Sequence, residues 1–192
     1  MAKKSEEEAD VYNELLKRLN LFEFYSYAEK KGAWESPEVR KNLPKFFGED
    51  PKRYAQMPER GFRMDMEEKF KKESERANQL LYNNFYDLLK KHKPEEIAKI
   101  IVNTPFSINI EEIKDETLKN IAKHHFTISE LKRMDAKTYR NLILRSEEES
   151  GSKYAKLTLS DEGLEIEKEY VLIEHLNYLI GDLKKLKEKI KG

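Results

Sequence analysis

Apolar residues recur at every third or fourth position along most of the chain, and this spacing predicts amphipathic helices. The first predicted helix covers residues 8–31, where Val11, Leu15 and Leu19 lie on one stripe and Gly32 marks the end. Further helices are predicted at 65–92, 94–102, 111–124, 127–134, 135–149 and 164–191. Asp65 is the predicted N-terminal cap of the helix at 65–92.

The segment 36–63 has a different pattern, because four prolines divide it at a constant interval of seven residues. They are Pro37, Pro44, Pro51 and Pro58. A long helix does not carry prolines so often, since each removes a backbone donor and clashes with the preceding turn. The pattern predicts short helical turns, two of them capped by Ser36 and Asp50.

A break at Thr104-Pro105 divides the predicted elements into two halves. Residues 1–104 form a helical region, residues 105–170 a second module, and residues 171–192 a terminal packing or dimerisation helix. One segment, 154–159, alternates enough to predict a strand. The expected fold class is mainly α, with a helical N-terminal region and a long C-terminal helix.

Composition narrows the classes of function. The chain has 37 basic and 37 acidic residues among 192, and it has no cysteine, which excludes disulfides and Cys-ligated zinc. No nucleophile elbow, phosphate loop or dinucleotide fingerprint occurs, so we expect neither an enzyme nor a bound cofactor. His124 and His125 are adjacent, point about 100° apart on a helix and do not predict a metal site. No apolar run indicates a signal or a membrane span, so we expect a cytoplasmic protein without membrane contact.

The order of elements in 113–170 resembles a winged helix-turn-helix domain. A helix ends near His125, Thr127-Ile-Ser-Glu-Leu131 follows as a second helix, and 136–144 is similar to a recognition helix. The segment 153–163, Lys-Tyr-Ala-Lys-Leu-Thr-Leu-Ser-Asp-Glu-Gly, looks like a wing strand that leads into the next helix. The resemblance implies a winged-helix-like C-terminal region that contacts DNA.

The resemblance also implies roles for particular residues. Side chains near the start of the third helix would face the major groove, and these are Lys137, Thr138, Arg140 and Asn141. Phosphate contacts would come from Lys132, Arg133, Lys153 and Lys156. Residues 111–170, however, contain 14 acidic and 11 basic residues. Since winged helices also dock proteins, an acidic module leaves protein docking as the alternative.

A second basic stretch, within 40–63, carries aromatic residues among its charges. One interpretation is a site for single-stranded nucleic acid, in which Tyr54 and Phe62 stack on bases. Phosphate would then be bound by Lys52, Arg53, Arg60 and Arg63. The favoured interpretation is that the aromatic side chains anchor an irregular segment and the charges are solvated.

The last predicted helix carries a leucine-rich seam at spacings of four and three. Its members are Leu172, Leu176, Leu179, Leu183, Leu186 and Ile190. Such a seam packs within one chain or across a dimer, and the pattern favours neither. The leading hypothesis is therefore a dimeric, nucleic-acid-associated factor in transcription or replication. The alternative is a structural or assembly protein that docks other proteins without nucleic-acid contact.

Overall fold

The structure, a computed structural model, describes residues 2–135, 137–142 and 160–191, with side chains from residue 11 onward. Its helices are α1 (Ala2–Lys31), α2 (Pro37–Phe46), α3 (Glu59–Asn83), α4 (Phe85–Lys91), α5 (Pro94–Asn103), α6 (Glu116–Arg133), α7 (137–142) and α8 (Asp161–Lys191). Two 3-10 turns lie at Pro51–Tyr54 and Ile110–Glu112. This part of the chain contains no strand, so the mainly α prediction and the long terminal helix are confirmed.

Several predicted helix boundaries agree with the structure because they rest on proline and glycine geometry. Gly32 follows the last residue of α1 and adopts a φ of +58°, a conformation that residues with a Cβ rarely adopt. Pro37 and Pro94 open α2 and α5, where a helix needs no amide donor. The Asp50 side chain accepts from the amide of Lys52 and caps the first 3-10 turn.

The helix predicted at 65–92 is wrong in both its start and its continuity. The chain is helical from Glu59, and Asn84 separates α3 from α4. Asp65 does not cap a helix, because its carboxylate accepts a 2.6 Å hydrogen bond from the hydroxyl of Tyr54. A residue of the capping type therefore serves a tertiary contact inside the helix.

The two helices predicted at 111–124 and 127–134 are a single helix, α6. Asp115 caps it, and its carboxylate accepts from the amides of Thr117 and Leu118. Thr127, where a second helix was expected to begin, lies inside α6 and donates to the carbonyl oxygen of Lys123 at 3.1 Å. The first two helices of the resemblance are therefore continuous, whereas the break expected near Met134, before the recognition-type helix, lies between α6 and α7.

The main core forms where α1 packs on α3 and the segment around α2 closes over them. Aromatic rings fill this part of the core. The ring of Tyr25 stacks on Phe70 with centroids 3.7 Å apart, and Phe22 meets Phe70 edge-on at 5.7 Å. Trp34 and Phe62 complete the cluster. Such aromatic pairs contribute stability beyond the area that they bury.

The same core includes residues on both sides of the predicted boundary at 104. Leu179 and Leu183 of α8 are fully buried and share one apolar cluster with Ile97 of α5 and Ile121 of α6. α8 contacts α4, α5 and α6 along its C-terminal half. Described residues on both sides of Thr104 therefore share one apolar core.

A smaller cluster holds the other half of α8. Leu164 is fully buried and packs with Leu131 of α6 and Tyr139 of α7. Lys168 is also buried, and its ammonium group donates to the carbonyl oxygen of Met134 at 2.7 Å. These contacts fix one side of the N-terminal half of α8 against the end of α6 and against α7.

Arg40 is the polar centre of residues 36–63, which we call the proline-rich segment. Its guanidinium donates to the carbonyl oxygens of Trp34 at 3.1 Å, Tyr54 at 2.8 Å and Met57. It also lies over the ring of Phe62, 4.6 Å from the centroid. Because irregular backbone leaves carbonyl groups without helical partners, one partly buried arginine supplies several donors at once.

Candidate docking surface

Lys132, expected to bind phosphate, serves the fold. Its ammonium group donates to the carbonyl oxygen of Val102 at 3.0 Å and to the side-chain oxygen of Asn103 at 3.2 Å. Burial lowers its pKa, and the nearby charge of Lys30 lowers it further. Lys132 thus satisfies acceptors at the C-terminal end of α5, where a positive charge also complements the helix dipole.

The arginines of the expected DNA surface form ion pairs within the chain. Arg140 pairs with Asp161 of α8 at 2.9 Å, and Arg133 lies 3.8 Å from the carboxylate of Glu29 on α1. Lys132 reaches toward α5 while Arg140 reaches toward α8, so these cations do not converge on one solvent-facing site.

The other expected groove-facing residues lie on α7, where Lys137, Thr138 and Asn141 are exposed. Asp135 precedes this helix, and its carboxylate accepts from the amide of Thr138 at 2.7 Å. Lys153 and Lys156, with the expected wing strand, lie outside the described residues. The winged-helix resemblance therefore stays a prediction, with its first two helices merged into α6.

The aromatic residues of the second candidate nucleic-acid site are inside the protein. Tyr54 and Phe62 are fully buried, and burial together with the hydrogen bond to Asp65 raises the pKa of Tyr54 to about 12. Neither ring is accessible for stacking on a base. The charged residues of this site, Lys52, Arg53, Arg60 and Arg63, are exposed. The anchoring interpretation agrees with these positions, and the stacking interpretation does not.

The leucine-rich seam of α8 packs within the chain. Leu179, Leu183 and Leu186 are buried in the main core, and the partly buried members of the seam pack against the same core. Those members are Leu172, Leu176 and Ile190. This face of α8 is therefore covered by α4, α5 and α6 and is not free for a dimer.

The opposite face of α8 carries large apolar side chains in solvent. Ile166 is 54%, Tyr170 70% and Ile173 53% exposed. Their spacing of four and three places them on one side of the helix, with Asn177 four residues further along the same line. We call these four residues the outer seam. Three exposed apolar side chains in one line are a typical sign of an interaction surface, whereas single ones are common.

Glutamates border the outer seam on both sides. With Tyr170 at position a of a heptad, Ile166 and Ile173 occupy d positions and Asn177 occupies the next a. The flanking e and g positions are then Glu162, Glu167, Glu169 and Glu174, which we call the acidic rim. Over 161–174 six acids stand against a single lysine, Lys168, which is buried on the far side.

The outer seam is positioned by the buried side of the same helix. Lys168 lies about 200° around the helix from Tyr170 and is tied to Met134, and its ammonium group also pairs with Glu165 at 2.9 Å. Leu164, in the smaller cluster, fixes the first turn. A partner that binds the outer seam therefore binds a helix whose buried face already holds it in place, and this reduces the entropic cost of binding.

The sequence pattern indicates this surface, but the leucine-rich seam gives a stronger pattern on the same helix. Ile166, Tyr170 and Ile173 follow heptad spacing, and glutamate occupies every neighbouring e and g position from 162 to 174. Because α8 is apolar on two faces, periodicity alone does not tell which face is buried. The contacts of Leu164 and Lys168 decide between the two faces.

Histidines and carboxylates of the described residues form only small clusters. No three ligand-type side chains among them are grouped to hold a metal ion. His124 lies 3.6 Å from the carboxylate of Asp182, and its ring centroid is 6.1 Å from that of His175. A groove of about 230 Å³ between α6 and α8 is lined by Lys185 and Lys189, with Asp182 beside them.

No described helix is both long and apolar enough to cross a bilayer. Comparison with known proteins adds no relative: no family model, no curated protein and no solved structure matches this chain.

Proposed function

We propose that this protein is a docking module, whose α8 binds a helix of a partner protein along the outer seam. The observation that carries the proposal is the line of three apolar side chains, each more than half exposed, on a helix whose opposite face is buried. Soluble monomers rarely leave such a line uncovered without a binding role. The proposal corresponds to the docking alternative of the sequence analysis.

The energetics of the outer seam suit a reversible interaction. Covering the exposed parts of Ile166, Tyr170 and Ile173 contributes roughly 1 kcal/mol for each side chain, or about 3 kcal/mol from this chain alone. The partner contributes a similar amount from its own apolar side chains. Part of this sum is lost to the entropy of association, so we expect moderate affinity.

Nucleic-acid binding has less support among the described residues. Lys132 and Arg140 hold neighbouring helices, and Tyr54 and Phe62 are buried. The exposed described residues of the expected duplex surface are Arg133, Lys137, Thr138 and Asn141, and Arg133 lies 3.8 Å from the carboxylate of Glu29. Affinity for nucleic acid depends mainly on neutralising several phosphates, and these residues supply two positive charges, one of them already paired.

The test uses three helical peptides, each about three heptads long. All three have Ile at the a positions and Leu at the d positions, except for one Asn at the a position that faces Asn177. They differ only at e and g, which are all Lys, all Gln or all Glu, and we name them the Lys, Gln and Glu peptides. Binding to the full chain is measured by fluorescence anisotropy. The proposal is supported if at least one peptide binds, and it is overturned if none does.

Two variants locate the binding. Ile173→Asp places a charge in the outer seam, and we expect it to abolish peptide binding. Met64→Asp makes a comparable change at a side chain that is 60% exposed on α3, and we expect it to bind as the unchanged chain does. Labelled double-stranded and single-stranded DNA serve as competing probes. Tight duplex binding that salt weakens and Lys137→Ala removes would favour the winged-helix hypothesis instead.

A further inference from the structure

The acidic rim occupies the positions that select the partner in a coiled coil. Coiled-coil partners select each other through the charges at e and g, which lie beside the a and d contacts and meet their counterparts across the interface. In this chain all four rim positions carry the same sign. We infer that the partner is a basic amphipathic helix, with Lys or Arg on both sides of its apolar stripe. This inference rests on the proposed function.

A second copy of the chain is a poor occupant of the same surface. In a parallel pair, e positions meet g positions of the other helix, and in an antiparallel pair e meets e and g meets g. Every such pair in this chain would bring two glutamates together, because Glu162, Glu167, Glu169 and Glu174 fill the rim. Like charges across an interface oppose association, so the rim acts against self-pairing while leaving the seam open to a basic helix.

Few cations lie near the rim among the described residues of α8. Within the described residues, Glu162 and Glu169 take part in no ion pair, and both are exposed. Lys168, the one cation in this half of α8, is buried and bonded to Met134 and Glu165. Arg140 lies against Asp161 at the first turn of the helix, before the rim begins. Among the described residues of this half of α8, the charge beside the outer seam is therefore mainly that of carboxylates.

Asn177 adds a constraint on register. An asparagine at an a position pairs best with a polar residue at the facing a position, and this pairing selects one alignment at some cost in affinity. Here it follows three apolar layers, Ile166, Tyr170 and Ile173, so a partner helix with a polar residue one heptad beyond its central a position fits best. The inference therefore specifies the charge of the partner and the position of one polar residue.

The order of affinities among the three peptides tests this inference separately from the proposed function. We expect the Lys peptide to bind about tenfold more tightly than the Gln peptide, and the Glu peptide to bind weakest. Equal binding of all three would overturn the basic-partner inference and leave the docking proposal standing. Failure of all three would overturn the docking proposal itself.

A charge reversal gives the complementary readout. Glu162→Lys with Glu169→Lys replaces the two g positions and leaves the apolar seam intact. We expect this double variant to bind the Lys peptide about tenfold more weakly and the Glu peptide more tightly than the unchanged chain does. No change in either affinity would contradict the inference.

Analytical sedimentation of the unchanged chain without peptide tests whether a second copy of the chain binds to the outer seam. The inference predicts no self-association that depends on Ile173. A dimer that Ile173→Asp dissociates and Met64→Asp does not would overturn it in favour of self-pairing.

Discussion

The ammonium group of Lys168 lies 2.7 Å from the carbonyl oxygen of Met134, and this hydrogen bond joins α8 to the end of α6. Met134 follows the last turn of α6, where backbone carbonyls have no helical partner. A buried lysine is expensive to maintain, so its position indicates a structural task. The bond holds the inner side of α8 and thereby directs Tyr170 and its neighbours toward solvent.

Lys168→Met tests this anchoring role. Methionine retains most of the side-chain volume but leaves the Met134 carbonyl without its donor, so we expect the free energy of unfolding to fall by about 1–3 kcal/mol. Urea denaturation measures the change. Lys185→Met is the matched control, because Lys185 is exposed on the same helix, and we expect it to alter stability by less than about 0.5 kcal/mol. Equal effects of the two variants would show that the Met134 contact contributes nothing.

Arg40 is expected to be the most sensitive charged residue of the proline-rich segment. Arg40→Met removes a donor shared by the carbonyls of Trp34, Tyr54 and Met57, and we expect a loss of about 3 kcal/mol in the free energy of unfolding. Arg53→Met is the control, because the Arg53 side chain is 65% exposed and makes one long ion pair with Glu49. Thermal unfolding of both variants checks this, and similar melting temperatures would contradict the role of Arg40.

His125 should make stability depend on pH. It is fully buried, with Nδ1 2.9 Å from the hydroxyl of Tyr82 and Nε2 2.6 Å from the carbonyl oxygen of Thr104. The neutral ring satisfies both contacts by accepting at Nδ1 and donating from Nε2. Burial lowers the pKa of His125 from 6.5 to about 4, because a charged ring is poorly solvated there.

The direction of the pH effect follows from proton binding. Below pH 6.5 the unfolded chain binds a proton at this histidine while the folded chain does not, so acid favours unfolding. We expect the free energy of unfolding to fall as pH drops from 6.5 toward 4, by roughly 3 kcal/mol at most from this group. Urea titrations across this range with His125→Gln as reference measure it. If the unchanged chain and the variant lose stability in parallel, the assignment to His125 is wrong.

The sequence predicted those boundaries of the fold that depend on backbone geometry. Gly32 ends α1 and Pro94 opens α5 because glycine and proline restrict the backbone wherever they occur. Asp65 and Thr127 misled the prediction, since both residue types also act inside helices. Asp65 accepts from Tyr54, and Thr127 bonds back to Lys123. Local sequence does not reveal whether such a side chain caps a helix or meets a distant partner.

Prediction of the candidate site from the sequence is limited in the same way, because local sequence does not reveal tertiary partners. Lys132 and Arg140 have the composition of a nucleic-acid surface, yet one reaches toward α5 and the other toward α8. Leu179 and Leu183 gave the stronger heptad signal and proved to be core, while Ile166 and Ile173 on the opposite face are exposed. Periodicity identifies the faces of a helix, and tertiary contacts determine which face is buried.

The most direct measurement is site-specific disulfide formation with the Lys peptide in a redox buffer. Because the chain has no cysteine, Asn177→Cys introduces a unique thiol in the outer seam, and the peptide carries one Cys at the facing a position. We expect rapid crosslinking of the Lys peptide at position 177, little crosslinking of the Glu peptide, and little crosslinking to Met64→Cys. Equal crosslinking at positions 64 and 177 would contradict a docking surface on α8.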